Sequence, residues 1–385
     1  MSRIKIEALT AVHIGSGESF QYGTDFVAAK HDEQDVLSIV DPRKVMELIG
    51  ENNVYQWVAA IERKEATSKV VKQFAPNAKI DDYSKRIIME WSAAKPSDTL
   101  KEQIHDGRGV PYIPGSSIKG AIRTAIAASL ADDVDQKEKK IDKTKRDNQG
   151  NPIPNKKGNI EFKANAQKIE AELFGDNPNR DIFRFLQVGD AYFGKNYEVA
   201  IRMVNINERE SQGFWDQSKS QLIEAICPED SAVFQMKINL TGYNLSKMEG
   251  QVSKIPACMQ SVSALFETIN AHTLHILETE KEYWQEREAN DASDHVANYL
   301  EKIEDMLDTA RKCEKGKECV LRIGYGSGWR FITGAWAEDL DNFTSLVVPA
   351  SRPKNDNYTK YDFPKTRRVD DQCELLGFVK LLILE

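Results

Sequence analysis

At 385 residues, with 41% hydrophobic and 29% charged side chains, the chain is long enough for two ordinary domains and too rich in apolar residues to be broadly disordered. It holds no run of about 18 apolar residues, which excludes a membrane-spanning helix, and its start alternates polar with apolar residues, unlike a signal peptide; a cytoplasmic protein is expected. The formal net charge of −8 speaks against a uniformly basic surface, although binding of a polyanion responds to local field rather than to the total. Locally the charge is divided: residues 278–308 carry eleven acidic against three basic side chains, and residues 136–168 ten basic against four acidic. The five cysteines, Cys227, Cys258, Cys313, Cys319 and Cys373, contain no Cys-x-x-Cys pair and read as reduced thiols.

In chain order, residues 3–9 alternate through Ile4, Ile6 and Ala8 as a half-buried strand does, then enter the glycine turn His13-Ile14-Gly15-Ser16-Gly17. A second strand is expected at 36–40, followed by a helix opened by Asp41-Pro42. A short strand at 110–113 meets Pro114-Gly115, after which Ser116 or Ser117 can cap a helix bearing Ile118, Ile122, Ile126 and Leu130 at spacing four. The basic segment near 131–170 has no periodicity and reads as a long mobile insertion. Strands are expected at 182–193, 199–206, 222–226 and 233–240, and helices at 256–277 and 294–310, around an acidic stretch explained by a solvated helical face. A strand at 319–323, a second glycine turn at 324–328 and a closing strand at 375–384 complete the chain.

Three segments could bind phosphate or bases. The N-terminus of the helix from Ser116 offers unpaired N–H groups and a positive dipole end, with Lys119 and Arg123 as neighbours on one face; an ordinary capped helix with solvated cations fits equally. In Arg322-Ile323-Gly324-Tyr325-Gly326-Ser327-Gly328-Trp329-Arg330 the glycines allow close approach, Tyr325 and Trp329 can stack, and the arginines can meet phosphates. The alternative there is a tight turn with core aromatics. Lys365, Arg367 and Arg368 precede the last strand and can reach a phosphate backbone or remain solvated. His13 suits a general base, hydrogen bonding or base stacking, and Asp25 a metal or a ribose hydroxyl. His272, His275 and Glu278 share a helix face that could hold a metal or simply pack.

Together, the Leu9–Gly17 segment, Tyr112-Ile113-Pro114-Gly115-Ser116-Ser117-Ile118-Lys119-Gly120-Ala121-Ile122-Arg123, the glycine turn at 324–328 and Pro364-Lys365-Thr366-Arg367-Arg368 resemble the RAMP proteins of type III CRISPR effector complexes. Their order and spacing are most similar to the fifth subunit of the type III-A (Csm) complex. The resemblance implies an α+β fold of two RRM-like (ferredoxin-like) modules, 1–215 with the basic insertion and 216–385 with a helical acidic segment near 256–310. It further implies a noncatalytic subunit without cofactor or metal that binds the CRISPR guide RNA. Such a subunit caps the complex near the guide's 3′ end and supports guide maturation in antiviral defence. The implied partners are the repeated backbone RAMP subunit, other Csm subunits, target RNA and host nucleases, with no membrane. The expected RNA contacts are His13, Gly15, Ser16, Gly17, Ser116, Ser117, Lys119, Arg123, Gly324, Tyr325, Gly326, Ser327, Gly328, Trp329, Arg330, Lys365, Arg367 and Arg368. Asp25 falls about where the repeated backbone subunit carries its target-cleaving aspartate, so the competing expectation is a RAMP-type endoribonuclease using His13 or Asp25. A third is a protein-bridging cap that touches no RNA. The basic insertion is expected to reach an RNA backbone while the acidic helix faces away.

Overall fold

Alternation in the first residues builds a central strand, not an edge. The computed structural model describes residues 1–132, 134–194, 198–207, 214–250, 252, 254–290, 294–331, 334–351, 364 and 366–384. The strands are β1 (Ser2–Ala8), β2 (Gly15–Gln21), β3 (Phe26–His31), β4 (Gln34–Val40), β5 (Ser84–Glu90), β6 (Thr99–Gln103), β7 (Tyr112–Ile113), β8 (Leu186–Val188), β9 (Ala191–Tyr192), β10 (Glu198–Asn207), β11 (Trp215–Ile226), β12 (Ser231–Ile238), β13 (Glu318–Arg322), β14 (Thr366–Asp370) and β15 (Phe378–Ile383). Ile4, Ile6 and Ala8 are fully buried, because β1 pairs antiparallel with β12 on one side and β15 on the other. The resulting antiparallel sheet runs β13-β15-β1-β12-β8. The helices Gly115–Ala131 and Val262–Glu288 lie in its crossovers, between β1 and β8 and between β12 and β13.

A second sheet runs β2-β6-β11-β10-β5-β4-β3, with β14 also paired to β10. It mixes parallel pairs, β10 with β5 and β11 with β6, among antiparallel ones. The chain is thus α+β. Both sheets draw strands from either side of residue 215.

The helix Gly115–Ala131 buries Ile118, Ile122 and Ile126 as the spacing predicts, but Leu130 is only partly buried at its edge. Ser261 caps the long helix Val262–Glu288 by accepting the N–H of Ala264 at 3.0 Å. Trp284 of that helix packs against Val296, Tyr299 and Ile303 of the helix His295–Arg311 in a second core. The expected strand at 182–193 is broken into a 3-10 turn, Ile182–Phe185, and the short β8 and β9. The expected helix start at Asp41 opens four helices, Pro42–Ile49, Val54–Glu62, Thr67–Phe74 and Ile80–Tyr83, with their own core of Val45, Trp57, Val71 and Tyr83.

The basic insertion has local order that its lack of periodicity concealed. The Asp147 carboxylate accepts the N–H groups of Gln149 and Asn151, and the Asn155 side chain does the same for Lys157 and Asn159. Two side-chain-stabilised turns therefore shape it, and Lys143 N–H bonds the Lys163 carbonyl at 2.7 Å. Several of its cations are paired within the segment or beside it, among them Lys140 with Glu172 and Arg146 with Asp142. No described helix is long and apolar enough to cross a membrane.

Candidate nucleic-acid interface

The two glycine turns meet. Val12 exchanges backbone hydrogen bonds with Ile226 at the end of β11, which brings His13 beside the loop that follows β13. Tyr325 N–H then donates to the His13 carbonyl at 2.9 Å. Gly324 has φ +83°, and a Cβ there would lie 2.5 Å from the same carbonyl, so the junction needs glycine for both conformation and space. Tyr325 donates its hydroxyl to Gln221 at 2.7 Å. The Lys101 ammonium sits 5.5 Å and the Arg368 guanidinium 4.8 Å from the centre of its ring. Gly15, Ser16 and Gly17 leave this junction as exposed backbone, with Ser16 donating to Glu102 at 2.9 Å.

A short path joins this junction to the helix N-terminus. Ile14 N–H donates to the Gln103 side-chain oxygen at 2.8 Å, and the Gln103 amide donates to the Tyr112 carbonyl at 3.2 Å. Tyr112 stacks on Tyr192 with ring centres 5.3 Å apart, and Tyr192 is 46% exposed. At the helix start Gly115 packs so closely that a Cβ would meet the Val188 carbonyl at 2.2 Å. Pro114 rather than a serine stands at the cap position. One of the helix's unpaired N–H groups is already taken, since Gly115 donates to the Asp190 carboxylate at 2.8 Å. Ser116 is exposed, while Ser117 and Lys119 are half-buried. Burial depresses the Lys119 ammonium below the usual lysine range, against the pull of Asp181.

Several expected contacts point inward instead. Arg123 pairs with Asp181 at 3.0 Å and lies 4.1 Å from the centre of the Phe174 ring. His13 is 3% exposed and its Nδ1 lies 2.6 Å from the Glu224 carbonyl. Since a carbonyl only accepts, Nδ1 carries the proton. Burial, together with the Lys101 charge, pulls this imidazole down to about 4, so it is a neutral, enclosed strut and a poor general base. Arg330 and Arg367, 5% and 6% exposed, both bond to Glu280, each at 2.5 Å. Arg330 also forks onto Glu338. Arg322 is buried as well and donates to the Leu376 carbonyl at 2.9 Å. The alternation of β14 explains the difference within the basic box, because Arg367 faces the core and Arg368 the Tyr325 junction. Trp329 is half-buried against Phe343, with Gly326 enclosed and Ser327 and Gly328 half-buried between. Lys365 lies outside the described residues.

Glu280 belongs to the acidic helix, so part of that acidity is internal. Burial pushes its carboxyl up, but Arg367 and Arg330 outweigh this and bring it to about 2. Behind the first glycine turn stands a second buried carboxylate, Glu224 of β11. Both its oxygens accept from Arg86, at 2.6 and 2.7 Å, and one also accepts Gln103 N–H at 2.9 Å. Burial raises Glu224 to about 7; Arg86 opposes the shift and Glu198 adds to it. His105, Glu198 and Glu224 are the one group of possible metal ligands that converges among the described residues. Arg86 already occupies both Glu224 oxygens and His105 bonds Glu198 at 2.9 Å, so the group is an ion-pair network. His272, depressed to about 4 by burial and by His275, packs against Phe331. Asp25 accepts the Gln21 N–H at 2.8 Å and closes the turn between β2 and β3. Sequence reasoning missed Lys101, Gln103, Tyr192 and Glu224, which lie on strands with no motif of their own.

No curated protein sequence matches the chain. In structure it is similar to a chain of a cryo-EM Csm–crRNA–target RNA ternary complex of a type III-A CRISPR-Cas system, at TM-score 0.70 and 18% identity over 99% of this chain and 100% of that one. It is also similar to the crystal structure of Csm5 from T. onnurineus, at TM-score 0.65 and 17% identity over 97% and 99% of the two chains. These likenesses describe the fold, in which Gln103 links the first glycine turn to the strand before the helix Gly115–Ala131 and Tyr325 links it to the second. The model of the RAMP superfamily matches residues 5–331, most of the chain and all of these segments, and the chain belongs to this superfamily.

Proposed function

We propose that the chain is a guide-RNA-binding assembly subunit of a type III-A CRISPR (Csm) effector complex, capping the complex near the 3′ end of the guide and supporting its maturation. Its partners on this reading are the guide RNA, the repeated backbone RAMP subunit, neighbouring Csm subunits and target RNA, with host nucleases acting at the exposed guide end. Full-length likeness to a chain of a Csm complex and to Csm5 supports the assembly. The observation that carries RNA binding is the convergence of Lys101 and Arg368 on Tyr325, beside the exposed backbone of Gly15 to Gly17. Two cations flanking an aromatic ring suit a phosphate and its base, and glycine backbone lets the strand approach. The contact set on this reading is Gly15, Ser16, Gly17, Ser116, Ser117, Lys119, Tyr325, Ser327, Gly328 and Arg368, joined by Lys101. Enclosure of His13 and the turn-closing role of Asp25 favour a binding role over the endoribonuclease.

The test is nuclease protection of guide RNA in complexes assembled with wild-type chain, without it, or with Lys101→Glu plus Arg368→Glu. The protected 3′ boundary is expected to retreat without the chain and to fray with the double variant. For the purified chain, loss of two phosphate contacts reduces the slope of log affinity against log salt by about 1.4. An unchanged boundary together with an unchanged slope would favour the protein-bridging cap.

A further inference from the structure

We propose that Glu224 is the positioning residue of this RNA surface, holding the first glycine turn through three separate arms, one from its main chain and two from its carboxylate. The inference rests on the RNA-binding reading above and assigns a role to a side chain that itself touches no solvent. The first arm is its main chain, whose carbonyl fixes the His13 ring at 2.6 Å. The second is its carboxylate on Gln103 N–H at 2.9 Å; the Gln103 side chain in turn holds Ile14 N–H and the Tyr112 carbonyl. The third runs through Arg86, which reaches Glu102 at 3.4 Å, and Glu102 accepts the Ser16 hydroxyl at 2.9 Å. His13, Ile14 and Ser16 are thus anchored to one residue more than 200 positions away.

Two carboxylate oxygens here accept three hydrogen bonds, two from Arg86 and one from Gln103. A carboxylate has the lone pairs for this, whereas a carboxylic acid has turned one acceptor site into a donor. Oε1 meets only Arg86, whereas Oε2 serves Arg86 and Gln103 together. A proton on Oε1 therefore sets a donor against the guanidinium and removes the charge that holds it, which loosens Arg86 and with it the third arm while Gln103 keeps its acceptor. The charged and titratable groups around Glu224 are Arg86 of β5, Lys101 and Glu102 of β6, His105 just after it, Glu198 of β10 and the His13 ring. With its carboxyl near 7, Glu224 changes state within the range in which RNA binding is ordinarily measured. Imidazoles that gain charge on acidification strengthen RNA binding on their own, so a fall in affinity has the opposite sign to the nonspecific effect.

The experiment measures affinity of the purified full chain for labelled single-stranded guide-repeat RNA by fluorescence anisotropy, at constant ionic strength from about pH 8.5 to pH 5.5. Wild type is expected to weaken about tenfold on acidification, a loss of about 1.4 kcal/mol. Glu224→Gln, which keeps the shape but cannot accept three bonds, is expected to bind weakly at every pH with a flat profile, and Glu224→Asp to restore part of the pH dependence. Glu102→Ala removes the acceptor of the Ser16 hydroxyl, cuts the outermost arm near the surface and gives a smaller loss, which keeps the test open should the Glu224 variants fail to fold. Wild-type affinity that is flat or rises on acidification overturns the positioning role while leaving RNA binding intact. Absence of RNA binding at any pH overturns the proposed function itself. Recovery of Glu224→Gln affinity with added Mn2+ or Zn2+ would replace the ion-pair account with a metal one.

Discussion

Glu280 and Glu224 are buried to the same depth, 2% and 0% exposed, yet stand at opposite ends of the carboxylate range. Glu280 faces two guanidinium groups and a tyrosine hydroxyl, and is brought down to about 2. Glu224 faces one guanidinium and, nearby, a second carboxylate, and is raised to about 7. Burial sets the size of the electrostatic stakes, and the number and sign of neighbours decide the direction. The Glu280 region is consequently a fixed weld between the long helix, the second glycine turn and β14. The Glu224 region, behind the first glycine turn, is balanced so that one proton alters its hydrogen bonding.

Removing the weld gives the largest effect. Glu280→Ala leaves Arg330 and Arg367 buried without their shared carboxylate and is expected to cost about 3–5 kcal/mol in urea unfolding. A loss below about 1 kcal/mol would mean that Glu338 and main-chain carbonyls suffice. The next largest effect separates the two carboxylates by pH. Since Glu224 is raised from 4.5 to about 7, the folded chain holds more protons than the unfolded one between those values, and stability falls as pH rises through that window. Glu280 acts lower and with the opposite sign, its stabilisation being complete above about pH 4.5 and lost as pH falls toward 2. Glu224→Gln should therefore gain on wild type by about 3 kcal/mol between pH 4.5 and 8. Parallel urea midpoints for the two proteins across that range would contradict the account. The smallest expected effect concerns the joint between the regions. Gly324→Ala places a methyl 2.5 Å from the His13 carbonyl at φ +83°, which should cost about 1–3 kcal/mol and loosen Tyr325. Loss of fluorescence quenching or added proteolysis at that turn, without change elsewhere, locates the damage.

Local sequence made several elements legible. The alternation of Ile4, Ile6 and Ala8, the isoleucine spacing after Pro114 and the glycines around Tyr325 all appear where their patterns place them. These are short-range signals, set by neighbours two to four residues away. What a pattern could not convey was which cations remain outside. Arg367 and Arg368 are adjacent and chemically alike, and only the pairing of β14 with β10 turns one inward and the other outward. Glu224 was invisible for the same reason, because its partner Arg86 lies on another strand 138 residues away. The basic insertion was a different kind of miss. Asp147-Asn148-Gln149-Gly150-Asn151 and Asn155-Lys156-Lys157-Gly158-Asn159 repeat one turn-forming pattern, and that signal outweighs the absence of helical or strand periodicity.

The position of β1 between β12 and β15 has a consequence for synthesis. Ile4 pairs with Phe234 on one edge and with Ile383 on the other, so β1 is made well before β12 and must wait for the long stretch that separates it from β15 before its second neighbour exists. During that wait its unpaired edges are open to adventitious strand pairing. Arg3, Lys5 and Glu7 alternate with the apolar residues along it, and such charges discourage pairing with the wrong chain until β15 is in place.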